Sequence, residues 1–181
     1  PNIVGGVIMG YIWNYTFSFA LPKIGQALGI DILSKSWLTS PNTALIALII
    51  VSVWQLSGYL MIIYISGITT ISKEVLEAAR IDGASGLQTI RFVKLPLIRS
   101  SVTICLFLTI ARAFTSFDVN LTLTRGGPFR TTELISLKIY QTAFESMEYG
   151  VGQAQAIVLF VIVATVSIIQ VIMTKKGEVQ A

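Results

Sequence analysis

Apolar residues fill four long runs of the chain, separated by shorter polar stretches. The runs cover roughly residues 2–21, 43–66, 95–117 and 150–174. Each is close to the roughly 20 residues an α-helix needs to cross a bilayer core. No period of two persists along them, as the strands of a closed barrel would require. The pattern predicts an all-α, polytopic helical membrane protein with four transmembrane helices. Residues 36–72 carry no charge, and 100–111 are again uncharged, with Arg112 the one interruption before Phe117.

The polar stretches have different characters. Residues 22–42 form a connector with Gly25, Gly29, Pro41 and two lysines. TRGGP, residues 124–128, is a strong turn signal. After it, Leu134, Leu137, Tyr140 and Phe144 recur at helical spacing within 132–146, which predicts a short amphipathic helix at the outer interface. No low-complexity stretch or separate soluble domain interrupts the chain, so residues 1–181 read as one domain.

Composition narrows the class. The chain is 54% hydrophobic and 12% charged, about half the charged share usual in soluble domains. Its net charge of +4 does not point to nucleic acid, because the basic residues are scattered and lack interleaved aromatics. They follow topology instead: Lys73, Arg80, Arg91, Lys94 and Arg99 share one short loop, and Lys175 and Lys176 follow the last run. Both places are predicted to be cytoplasmic, against Lys23, Lys35, Arg125, Arg130 and Lys138 on the other side. With no histidine and the single Cys105, His/Cys metal clusters, histidine-based triads and an internal disulfide are excluded. There is no GxxxxGK[ST] loop, so neither a cofactor nor bound ATP is expected by that route, and energy must come from a partner.

The charged island EAARIDGASGLQTIRFVKLP, residues 77–96, carries the most functional information. Glu77, Ala78 and Ala79 begin a helix-forming stretch, with small side chains that let another surface come close and a carboxylate for a basic partner. Asp82 and Gly83 read as the break that ends it. Ser85 and Gln88 have capping-box spacing, so a second short helix is predicted to run to about Lys94. Pro96 fits the first turn of the next membrane helix. The expected result is a bent pair of short helices across the membrane surface, occupying loop 73–95.

This pattern resembles the EAA loop of binding-protein-dependent ABC importer permeases, with Val93 where isoleucine is usual. SVWQLSGYLMIIYISG before it, TLTRGGP after it and YQTAFESMEYGVGQAQAIVLF near the end are similar to the carbohydrate-uptake branch, with its maltose-type and glycerol-phosphate-type permeases. The resemblance implies the ABC importer permease fold. It also implies a second homologous permease subunit, two ATP-binding cassette ATPase subunits, an extracytoplasmic solute-binding protein and a bacterial cell membrane location among lipid. The chain itself would be a non-catalytic subunit. ATPase coupling would fall to Glu77, Ala78, Ala79, Asp82 and Gly83. The chain starts without Met and inside its first run, and two family helices are expected ahead of it.

Polar side chains inside spans are costly and normally face other helices or a water-filled path. Gln55 and Tyr59 lie four residues apart on span two; Thr109, Arg112 and Ser116 share a helical spacing on span three. Read against maltose-type permeases, these five resemble sugar-facing positions, and Tyr59 or Trp54 could stack on a sugar. The competing reading has Gln55, Thr109 and Ser116 bonding across helices, and Arg112 snorkelling or pairing with Asp118. Residues 22–42 are either a plain connector or a contact for the binding protein. A different solute class, such as a polyamine, phosphate or metal chelate, and a secondary carrier without an ATPase remain the alternatives.

Overall fold

The computed structural model describes residues 1–175, and Lys176 lies outside the described residues. Its described residues are helical, with no strand among them, and fall into two compact units. The first comprises Pro1–Ser57 and Arg112–Val161; the second comprises Gly58–Ala111 and the described residues from Ile162 onward.

In the first unit, α1 (Gly6–Tyr15) and α2 (Leu21–Leu28) are joined by a π-helical turn, Thr16–Ala20. Pro22, in the first turn of α2, has no N–H to give. The ladder widens just before it, so that Leu21 N–H bonds to the Thr16 carbonyl five residues back. The first predicted span is therefore helical but is not one long α-helix. α3 (Pro41–Thr69) is apolar all round, yet its first half buries only Ala44, Ala47, Leu48, Val51 and Gln55. These line one stripe of the helix, and its other apolar faces are exposed. Met9, Phe17, Ala47, Leu48, Val51, Val119 and Leu123 form the core, flanked by Trp13 and Trp37. Helix α8 (Asp118–Leu123) packs against α1 through glycine. A Cβ on Gly10 would meet Thr122 Oγ1 and come within 2.9 Å of Thr122 Cβ. The predicted amphipathic helix is present as α9 (Ile135–Tyr140) with a π turn, Gln141–Glu145; Leu137 is buried and Phe144 exposed.

In the second unit, α4 (Lys73–Ile81) is followed by helical residues 86–97, made of α5 (Gly86–Gln88), a π segment (Thr89–Lys94) and α6 (Leu95–Leu97). The π segment repeats the earlier device. It stands just ahead of Leu95 and Pro96, and Leu95 N–H reaches the Ile90 carbonyl. The chain then bends by 70° into α7 (Arg99–Thr115). Pro96 thus lies before the bend and not in the first turn of the long helix, and the short helix runs past Lys94. Between the second half of α3 and α7, Gly67 accommodates Ser101 and Cys105 S–H points to the Leu60 carbonyl at 3.9 Å.

Helices Pro41–Thr69 and Tyr149–Thr174 are each long and apolar enough to cross a membrane, and the bent pair makes a third if counted as one span. Four spans were expected. The first run, helical through Gly6–Leu28 with its π turn, is not among them; Asn14, Pro22, Lys23 and Gln26 make it less apolar than the other runs.

Candidate functional site

The loop between α3 and α7 is built from local hydrogen bonds. Ser72 caps α4 by accepting from Val75 N–H at 3.5 Å. Glu74 in its first turn and Arg80 in its last complement the helix dipole. Glu77 and Ala78 are exposed and Ala79 is buried, so the Glu-Ala-Ala triplet turns two residues outward and anchors by the third. Glu77 makes no ion pair among the described residues.

The break after Ile81 has the geometry that Asp82 and Gly83 predicted. Gly83 has φ +75°, its N–H bonds to the Arg80 carbonyl and Ala84 N–H to the Ala79 carbonyl, both at 3.0 Å, which closes the helix in a Schellman arrangement. Nothing lies within 4 Å of a Cβ built on Gly83, so glycine is required by the backbone and not by space. Gly83→Ala is accordingly expected to cost about 1 kcal/mol, lowering the melting temperature in detergent by about 2–4 °C. Gly83→Asn should recover part of that loss, and equal melting of all three proteins would refute the assignment. The capping box is formed: Ser85 Oγ accepts from Gln88 N–H at 3.4 Å, and Ser85 N–H donates to Gln88 Oε1 at 2.8 Å.

The five polar span residues fall in both units. Gln55, in the first, is buried, and its amide donates to the Val4 carbonyl at 3.5 Å. Arg112 is exposed, and neither it nor Asp118 makes an ion pair among the described residues. Ser116 is half-buried and immediately follows Thr115, the last residue of α7. In the second unit Tyr59 is exposed; Thr109 is exposed too, with its hydroxyl bonded to the Cys105 carbonyl at 2.7 Å. Trp54 packs edge-on against Trp13, with ring centroids 5.5 Å apart.

Two polar groupings are absent from the sequence reading. Asn120 is fully buried and donates to the Thr132 carbonyl at 2.8 Å and Thr124 Oγ1 at 3.1 Å, while its Oδ1 accepts from Leu134 N–H at 3.2 Å. Thr132 hydroxyl adds a bond to the Gly127 carbonyl at 2.7 Å. This ties down the TRGGP turn, where Arg125, Phe129 and Arg130 take positive φ. The available signal was a cluster of Asn and Thr around a turn. On α10 (Tyr149–Lys175), Ser167 Oγ and Gln170 Oε1 are buried with no hydrogen-bond partner among the described residues. The Gln170 amide donates to Thr174 Oγ1 at 2.9 Å.

The family model described as the inner membrane component of binding-protein-dependent transport systems matches residues 1–176. The chain belongs to this family. It is thus a multi-pass inner membrane component with apolar spanning helices. It is 46% identical, over 99% of its length, to the probable starch degradation products transport system permease protein AmyD of Thermoanaerobacterium thermosulfurigenes, covering 61% of that protein. With the multiple sugar-binding transport system permease protein MsmF of Streptococcus mutans it shares 38% identity over 99% of this chain and 62% of the relative. The trehalose/maltose transport system permease protein MalF of Thermococcus litoralis is 30% identical over 93% of this chain and 56% of its own. The inner membrane component therefore spans about three fifths of the length of these relatives. The fold matches the crystal structure of a bacterial ABC transporter involved in the import of the acidic polysaccharide alginate, with TM-score 0.85 and 22% identity over 97% of this chain and 62% of that one.

Proposed function

We propose that this chain is part of a transmembrane subunit of an ATP-driven ABC importer, contributing to the path of a sugar or sugar-like solute and docking an ATPase through residues 73–95. The observation that carries this reading is the loop itself. Within a family of transport-system membrane components, α4 presents Glu77 and Ala78 outward, ends in a closed turn at Gly83 and leads through 86–97 to a spanning helix. The sugar reading draws on the names of AmyD, MsmF and MalF. A second homologous permease, two ATPase subunits and an extracytoplasmic solute-binding protein would complete the assembly. ATP hydrolysis would belong to the ATPase. The loop and Lys175 would face the cytoplasm.

Gln55, Tyr59, Thr109 and Ser116 offer amide and hydroxyl groups suited to sugar hydroxyls, and Arg112 adds an exposed cation with no acidic partner among the described residues. A polyamine would meet this cation unfavourably. The test is uptake by proteoliposomes holding the whole transporter, across neutral sugars, acidic sugars, polyamines and phosphate, with and without ATP. Sugar uptake that requires ATP is expected. Arg112→Ala should cut uptake of an acidic sugar relative to a neutral one by roughly tenfold or more, since hydrogen bonds to charged groups are worth about 1.5–3 kcal/mol. Uptake without ATP would sink the importer reading, and unchanged relative uptake of every solute would remove Arg112 from the path.

A further inference from the structure

We infer that the turn at residues 124–131 is a preformed docking knob for the extracytoplasmic solute-binding protein, an inference that rests on the importer assembly proposed above and adds the surface it uses. Phe129 would enter an apolar pocket of that protein, with Arg125 and Arg130 facing acidic side chains at the rim. The turn follows α7, one membrane crossing on from the loop 73–95, and so lies outside when that loop is cytoplasmic.

The turn is held in shape by its own hydrogen bonds. Arg125 N–H bonds the Asn120 carbonyl at 2.8 Å, Gly127 N–H the Thr124 carbonyl at 2.9 Å and Thr131 N–H the Pro128 carbonyl at 3.0 Å. The buried Asn120 amide ties its two sides together through Thr124 Oγ1 and the Thr132 carbonyl. Within this frame Phe129 takes φ +51° and Arg130 φ +61°, a region that bulky L residues avoid because Cβ crowds the carbonyl oxygen. Backbone strain of this kind persists only where the surroundings impose it, and it concentrates at contact and ligand sites. Phe129 is 88% exposed, so the strain secures no packing of the ring inside the fold. It fixes an aromatic group outside it.

The chemistry of the turn selects a protein partner. Arg125 and Arg130 each meet one carboxylate, Glu145 at 3.0 Å and Glu133 at 3.7 Å, yet their side chains remain 69% and 73% exposed. A guanidinium has five donors, so one contact leaves most of the fork for an acidic group on another surface. Aromatic and arginine side chains are the ones enriched at the centres of protein interfaces, and a turn already fixed loses little freedom on contact. The other exposed residues of the turn are Arg125, Arg130 and Thr131. All three are polar, so the ring does not continue an apolar belt as a membrane anchor does.

The test measures association of the purified solute-binding protein of the same transporter with the whole transporter in nanodiscs. Phe129→Ala should weaken association by roughly thirtyfold, as loss of a central aromatic anchor does, with melting in detergent unchanged. Arg125→Gln combined with Arg130→Gln should slow association and flatten its dependence on ionic strength. A fluorophore on Phe129→Cys in a Cys105→Ser background should be shielded from an aqueous quencher only when the binding protein is added. Equal association of the parent and Phe129→Ala would overturn the inference and leave the importer reading standing, whereas no association with the parent would remove both. Two further results would overturn the inference alone: a fall in melting that parallels the loss of association, which makes Phe129 structural, or quenching of residue 129 by spin-labelled lipid, which makes it a membrane anchor.

Discussion

Asn120→Ala is expected to destabilise the protein strongly, costing about 3 kcal/mol. Removing the amide leaves the Thr132 carbonyl without the side-chain bond it accepts and Leu134 N–H without its acceptor. Thr132 is buried and Leu134 partly so. Each buried group left unpaired costs about 1–3 kcal/mol. For a chain of this size the melting temperature in detergent should fall by roughly 10 °C. Thr131→Ala is the control: its hydroxyl bonds the Pro128 carbonyl at 2.7 Å from an exposed position, and its loss should shift melting by about 1–2 °C. Similar melting of the two variants would show that the turn does not depend on Asn120.

The largest functional effect is expected from Glu77→Lys. Glu77 is exposed on α4 and makes no ion pair among the described residues, so reversing its charge removes nothing the fold relies on. Under the proposed docking, the same change deprives a basic group on the ATPase of its partner and adds a like charge. Losing one member of a desolvated charged pair costs about 2–5 kcal/mol. Association with the ATPase should therefore weaken by roughly 30-fold or more, with transport lost in parallel and melting of the permease unchanged. Co-purification and ATP-driven uptake measured on the same preparation decide it. Normal association together with normal uptake would remove Glu77 from the coupling surface.

What could be read from the sequence was the part specified over short distances. The capping box needs Ser85 and Gln88 three residues apart, and the break needs a glycine able to take positive φ at 83; both pairings are local and both are present. Spans two and four showed as uninterrupted apolar runs and appear as α3 and α10. The π segments ahead of Pro22 and Pro96 were not legible, because a ladder that slips by one residue scarcely alters hydrophobic periodicity over a long window. For the same reason the 70° bend stayed hidden inside what read as one span. Asn120 escaped because its partners lie 12 and 14 residues away, joined only once the turn has folded. The five polar span residues illustrate the remaining gap: spacing along a helix marks which residues share a stripe, and not what that stripe faces.

The turn between α4 and α5 has a mechanical consequence. All four of its N–H groups are engaged: Asp82 to the Ala78 carbonyl, Gly83 to Arg80, Ala84 to Ala79, and Ser85 to the Gln88 side chain. Three of these bonds run back to α4 and the fourth runs forward to Gln88, so the freedom of the joint is narrowed to the single link between Ala84 and Ser85. Any motion of α4 would then reach 86–97 as a pivot about that one link, with the direction of approach set by the positive φ of Gly83.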